Sequence, residues 1–294
     1  MLKYYEICII ISFVAILFSL FVSPIFQDVL GVFGIFSIGI LHGANDLLIL
    51  SKKAPTSSKN HFKKSFLLYI GVVAFGGLLF FYVSQFALLA FVLVSCFHFG
   101  EQHWESSLAN KSYRGVFYFC YGGLVFFLLF CLKYDEVAAV IHQITSLQLS
   151  FNFFQIGLLF FGSTFYTFII FIKELRKRIF FETLLLVLLS ILFYYSSLLF
   201  GFAFYFVVWH SFPSLRSQLR FLYNDTGTSS FLKYLKASAI YWVMALFGMG
   251  IGYFFIDFNA DYFLPLFFSF LAAITFPHVV VMLIMFRSVQ KEGD

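Results

Sequence analysis

Charge is what this chain has least of. Only 11% of its 294 residues are Asp, Glu, Lys or Arg, against about 25% in an ordinary soluble domain. So few charges cannot clothe a soluble surface, which excludes a soluble enzyme, and the apolar content excludes a disordered chain. Cysteine is also sparse. Cys8, Cys96, Cys120 and Cys131 each fall in an apolar run and form no CxxC pair. That excludes a secreted disulfide scaffold and leaves them as small buried hydrophobes. No GxGxxG or P-loop is present, and no GxSxG or Cys/His arrangement, so neither a nucleotide site nor a hydrolase is legible. The HxxH clusters of membrane di-iron desaturases are missing. No apolar run carries a lysine in its core, which excludes a covalent retinal Schiff base of the rhodopsin kind.

What is there is hydrocarbon. Hydrophobic residues make up 62% of the chain and mean hydropathy is +0.94. They come in runs of about 20, the length that crosses a bilayer as a helix, whereas a transmembrane barrel would alternate polar and apolar residues. The sequence therefore predicts an all-α, polytopic transmembrane helix bundle, with residues 1–294 as a single integral-membrane domain. Polar breaks divide it into about ten spans: 6–26, 29–50, 66–83, 86–104, 114–132, 151–172, 180–196, 198–219, 236–256 and 262–286. The first run has no small-residue cleavage site and reads as a retained span rather than a signal peptide. The run from Thr183 to Trp209 is too long for one span, so it is split at Ser196-Ser197.

The basic residues test this count. With the N-terminus inside, all 19 Lys and Arg but Lys133 fall in inner segments or at the inner ends of spans, while Asp28, Asp135, Glu136, Asp257 and Asp261 fall in outer segments. One wrong break would spoil the alternation beyond it, so the pattern supports ten spans with both termini cytoplasmic. The net charge of +5 belongs to those loops and needs no nucleic acid. A cell membrane, such as a bacterial inner membrane, is the expected location.

Seven histidines are present. His61 and His142 fall in loops and read as surface residues. His42, His98, His210 and His278 fall inside spans 2, 4, 8 and 10, all of which run from outside to inside. Each lies about 12–16 residues from the outer end of its span, roughly 18–24 Å deep at 1.5 Å per residue. Ionisable groups in lipid normally face a bundle interior, and neutral imidazole is a ligand for iron, copper or zinc. Four at one level point to a shared metal site. Asp46 follows His42 by four residues and Glu101 follows His98 by three, so each is expected on the helix face of its histidine. There it would hold a ring N–H and fix the tautomer, or, for Glu101, bind the metal directly. His103 points away from His98 and is treated as unrelated or supporting. Pro213 follows His210 and Pro277 precedes His278; each frees a backbone carbonyl, which is tolerated where backbone is buried in protein or lines a cavity. The 48 Phe, 17 Tyr and 3 Trp are mostly packing, though a Phe-lined interior also suits a long rigid polyene. GMGIGYF at 248–254 reads as a small-residue packing face.

At these motifs the chain resembles the Brp/Blh family of membrane-bound β-carotene 15,15′-dioxygenases. The resemblance rests on His42-Gly43-Ala44 with Asp46, His98-Phe99-Gly100 with Glu101, Trp209-His210-Ser211 with Pro213-Ser214, and Pro277-His278. It implies an iron centre, Fe(2+), which splits the central double bond of β-carotene with O₂ to give retinal, and a hand-over of retinal to a rhodopsin. It also implies His42, His98 and His210 as ligands. The family commonly has a second histidine one turn after the third of these, as HxxxH; here that position is Ser214, and the depth argument puts His278 in its place. The same histidines are compatible with a haem- or quinone-binding redox subunit, and the prolines with a transporter.

Overall fold

The computed structural model describes residues 2–53, 59–108, 111–255 and 263–293. Among them every regular element is a helix: α1 (Leu2–Phe21), α2 (Pro24–Gly34), a first π-segment (Ile35–Gly39), α3 (Asp46–Lys53), α4 (Lys59–Tyr82), α5 (Ser84–Leu108), α6 (Arg114–Leu132), α7 (Tyr134–Thr145), α8 (Phe151–Phe171), α9 (Lys173–Arg176), α10 (Ile179–Tyr195), α11 (Leu198–Phe204), a second π-segment (Tyr205–Ser211), α12 (Phe212–Tyr223), α13 (Thr228–Phe255) and α14 (Phe263–Gly293). Among the described residues eight stretches are long and apolar enough to cross a membrane, and two more, Pro24–Gly39 and Ile179–Tyr195, are apolar but shorter. Together they stand at the ten expected positions. The two short ones reach only about 24–26 Å, against a hydrocarbon core of about 30 Å. The outward faces are apolar: Phe21, Phe81 and Phe171 are 79–85% exposed, which only a lipid surround makes favourable. Asp257 and Asp261, and the outer start of the tenth expected span, lie outside the described residues.

Three boundaries differ from expectation. The first break falls at Val22-Ser23 rather than Gln27-Asp28, because Pro24 opens the next helix, where its missing N–H costs nothing. Gln27 is buried instead. Its amide donates to the Ser19 and Val22 carbonyls at 3.1 and 2.8 Å, so a polar residue that looks like a break caps the end of the preceding helix. The segment after Lys133 is helix α7 rather than loop, and places His142 in its last turn. The second span is interrupted at residues 42–45, as described below. Gly248 and Gly250 face open space rather than a neighbouring helix, so the expected packing face is not used there.

The chain forms two compact units, one of residues 1–37, 96–139 and 148–211, the other of residues 38–95, 140–147 and 212–294. In the first, Trp104, Phe117, Tyr121 and Phe165 are fully buried, with Trp104 and Phe117 edge to face at 5.0 Å. The expected split at Ser196-Ser197 is present. The start of α11 is capped by three side chains: Ser197 Oγ accepts from the Phe200 N–H, Gln27 Oε1 from Ser197 N–H and Glu136 Oε2 from Leu198 N–H. In hydrocarbon those first-turn donors have no water to turn to. Helices α5 and α6 cross with backbones in contact. A methyl group built on Gly100 would overlap the Tyr118 carbonyl, and one on Gly122 the Cys96 carbonyl. Small residues let membrane helices approach this closely. In the second unit, Ile49, Val281, Met282, Met285 and Phe286 form one buried cluster, and Leu215, Leu219 and Tyr234 another. The four cysteines are free thiols.

Gly100→Ala is expected to lower stability by about 1–3 kcal/mol or more, the cost of overpacking a filled contact. Gly77→Ala, where nothing lies within 4 Å, should be neutral or slightly stabilising. Thermal unfolding of the two variants in detergent micelles checks the contrast, and equal melting temperatures would show that the α5–α6 crossing can open freely.

Candidate metal centre

His42 does not sit in an unbroken helix. The first π-segment ends at Gly39, and residues 42–45 form turns before α3 begins at Asp46. Tight three-residue bonds close them, from Gly43 N–H to Ile40 O at 3.1 Å and from Ala44 N–H to Leu41 O at 3.2 Å. Gly43 and Asn45 are poor interior helix residues, and Asn45 starts α3 by accepting from the Leu48 and Ile49 N–H groups at 2.9 and 3.0 Å. The expected i, i+4 pairing of Asp46 with His42 is therefore not made.

Asp46 is bound to a different imidazole. His278, buried on α14, meets Asp46 Oδ1 through Nδ1 at 2.9 Å, and Tyr69 of α4 donates to Asp46 Oδ2 at 2.9 Å. Facing a carboxylate, Nδ1 carries the proton, so Nε2 is the nitrogen this ring presents to a metal. The His42 ring lies edge to face with His278 at 4.8 Å between centroids. Its Nδ1 donates to the Gly39 carbonyl, which fixes the same tautomer. The backbone of His42 is held too: Gln218 Nε2 donates to its carbonyl at 2.7 Å and to Ser214 Oγ at 3.2 Å. The Tyr234 hydroxyl reaches Gln218 Oε1 at 2.7 Å and the His42 carbonyl at 3.1 Å.

The other two expected ligands form a second pair, in the first unit. His98 of α5 and His210 of the second π-segment lie 4.7 Å apart between ring centroids, inclined at 74°. Both are buried. The His210 ring packs against two phenylalanines, stacked on Phe99 at 4.2 Å and on Phe206 at 5.6 Å, which also stack on each other at 5.8 Å, and Phe206 stacks in turn on Phe202 at 5.7 Å. Glu101 is buried one turn beyond His98. Each ring is thus confined by its neighbours, and buried neutral imidazoles are the donor type that iron, copper and zinc accept. His61 belongs to α4, and its side chain is outside the described residues.

His103 belongs to a separate buried cluster. Its Nε2 meets Glu182 Oε2 at 3.1 Å and the Tyr121 hydroxyl at 3.3 Å. Arg178 bonds Glu182 Oε1 at 2.9 Å, and its guanidinium lies 4.2 Å over the Trp104 ring. Sequence reading passed over Glu182, Tyr69, Gln218 and Tyr234. Glu182 did carry a signal, a lone acid in the apolar run IFFETLLL, since a charge inside a span needs a partner. The tyrosines and Gln218 carried none, because nothing local distinguishes them from interface residues.

Asp46→Asn keeps the side-chain shape and removes the charge that holds His278 Nδ1–H. It is expected to weaken metal binding about 10–100-fold, the usual effect of losing a ligand's outer partner. Tyr69→Phe, which leaves Asp46 Oδ1 on His278, should cost less. Metal content of the purified proteins checks both, and an unchanged content in Asp46→Asn would remove His278 from the ligand set.

Comparison with known proteins bears on which chemistry these imidazoles serve. No curated protein and no solved structure matches the chain. Residues 33–286, most of the chain, match the family model described as beta-carotene 15,15′-dioxygenase. That segment includes all four transmembrane histidines together with Asp46 and Glu101. A match of that extent makes the chain a member of the β-carotene 15,15′-dioxygenase family.

Proposed function

We propose that the chain cleaves β-carotene at its central C15=C15′ bond with O₂, at a ferrous ion held by His42, His98, His210 and His278. The single observation that carries this reading is the family match over residues 33–286. The donor chemistry agrees with it: His42, His98, His210 and His278 are all buried imidazoles, and neutral imidazole suits Fe(II). The reaction balances without a co-reductant. The C=C bond breaks, two C=O bonds form, and each half takes one oxygen atom, giving two molecules of retinal. The ferrous ion supplies the one-electron chemistry through which O₂ reacts with an alkene.

The rest falls to the chain's own residues. Asp46 and the Gly39 carbonyl hold the Nδ1 protons of His278 and His42, so both rings present Nε2. Phe99 and Phe206 fix the plane of His210 and, with Phe202, present an aromatic wall of the kind a flat polyene lies against. Within the first unit an apolar groove of about 320 Å³ runs between α1, α2 and α11, lined among others by Ala15, Gly31, Gly34, Phe200 and Val207. It gives a hydrocarbon room to leave the bilayer. Glu101 orients a ligand rather than carrying protons, since the reaction transfers none. The protein works as a multi-pass protein of the cell membrane, bacterial inner membrane being the expected one, with both termini cytoplasmic. The lipid bilayer delivers its substrate, and its product suits hand-over to a rhodopsin.

Expression in bacteria engineered to make β-carotene tests the reading. Cells with the parent chain should lose their orange colour and accumulate retinal. His42→Ala and His210→Ala cells should stay orange, with retinal reduced at least about 100-fold, the upper end of what losing even an outer partner costs. Alanine variants that bleach like the parent would show that these histidines hold no essential metal.

A further inference from the structure

Helix α1 lies outside the segment that matches the family, which begins at residue 33. Two of its side chains nevertheless hold the backbone and side chain next to His210. The Tyr4 hydroxyl donates to the Val208 carbonyl at 3.1 Å. Trp209 Nε1 donates to Ser12 Oγ at 3.1 Å, and the Ser12 hydroxyl donates in turn to the Cys8 carbonyl at 2.8 Å. Ser12 and Trp209 are buried, at 0% and 2% exposure. The Tyr5 ring adds a contact with Trp209 at 6.0 Å between centroids.

These contacts fall where the helix is least able to hold itself. Residues Tyr205–Ser211 are π-helical, so carbonyls pair five residues ahead rather than four. For Val208 that partner is residue 213, a proline with no N–H to give. In hydrocarbon no water replaces it. Ser211 Oγ serves the Phe206 carbonyl at 2.9 Å from within the segment, but for Val208 the hydroxyl comes from α1.

We infer that α1 is a clamp on the π-segment, with Tyr4 and Ser12 as positioning residues that set the ring of His210 for metal binding. The inference rests on His210 being a ligand, as proposed above. Without Tyr4 and Ser12 the segment regains freedom to slip toward regular α-helix, which turns residue 210 away from its place against Phe99 and Phe206.

Cobalt(II) loading of the purified full chain tests this, because the visible d–d absorption of bound Co(II) reports ligand number and geometry independently of carotene cleavage. The variants are Tyr4→Phe with Ser12→Ala, each one oxygen atom smaller, and His210→Ala. The clamp predicts that the double variant binds Co(II) about tenfold more weakly with a shifted d–d spectrum, and that Ser12→Thr, which keeps the hydroxyl, retains the parent spectrum. If His210→Ala changes the spectrum and the double variant does not, the clamp is overturned and the ligand assignment stands. If His210→Ala leaves binding and spectrum unchanged, the ligand assignment falls and the clamp with it. Should the double variant fail to fold, Tyr4→Phe alone, at a part-buried hydroxyl, decides between the same outcomes.

Discussion

An N–H group buried in a membrane protein has one place to go, which is another protein group. Water would accept it at little net cost, but hydrocarbon accepts nothing, and an unmade bond there costs several kcal/mol. Three imidazoles of this chain are organised by that constraint. His278 gives its Nδ1–H to Asp46, His42 to the Gly39 carbonyl, and His103 meets Glu182 and Tyr121. A ring held at Nδ1 has one tautomer and one orientation, so the bond that satisfies the buried N–H also leaves Nε2 placed as the proposed metal site requires.

The same constraint explains why the helices deviate where they do. Regular α-helix satisfies its own backbone, so a break in lipid is costly unless side chains take over the freed groups. Both π-segments lie next to an expected ligand, one just before His42 and the other containing His210. In each case the loosened backbone is served by specific side chains: Gln218 and Tyr234 at the His42 carbonyl, Ser211 and Tyr4 at the Phe206 and Val208 carbonyls. A π-turn rotates the residues that follow it relative to an α-helix, which aims a side chain that regular geometry would point elsewhere. Single π-turns inside α-helices are frequent at functional sites for this reason.

How much of this the sequence displayed follows from how local each signal is. Span positions are set by runs of apolar residues, and eight of the ten expected spans appear as helices long enough to cross a membrane, with shorter apolar helices at the second and seventh; the turn at Ser196-Ser197 was legible too. Gln27 misled because its polarity is satisfied by carbonyls at the end of α1, a tertiary fact that no window of sequence contains. The four histidines were legible because a polar residue in hydrocarbon is conspicuous. The partner of Asp46 was not: helical periodicity pointed to His42, and the Gly43-Ala44-Asn45 turn broke that periodicity. That turn did have a local signature, a glycine followed by an Asn-Asp start of helix, and reading the apolar run around it as continuous hid the signature. Tyr4 and Ser12 had none, since their role depends on a helix some two hundred residues away in sequence.

Position 214 draws these threads together. The resembled family commonly carries a second histidine there, and this chain has serine. Ser214 is fully buried and accepts from Gln218, whose other proton goes to the His42 carbonyl. A hydroxyl at this point is small enough to leave Gln218 pointing at the backbone of His42, and Tyr234 locks the far end of the amide at 2.7 Å. A histidine would need that space for its ring and would leave the His42 carbonyl one donor short. In this chain, then, position 214 supports the backbone of His42, an expected ligand, instead of supplying an imidazole of its own. The carboxylate-bound ring of His278 is the remaining imidazole whose proton is already placed as a metal ligand requires.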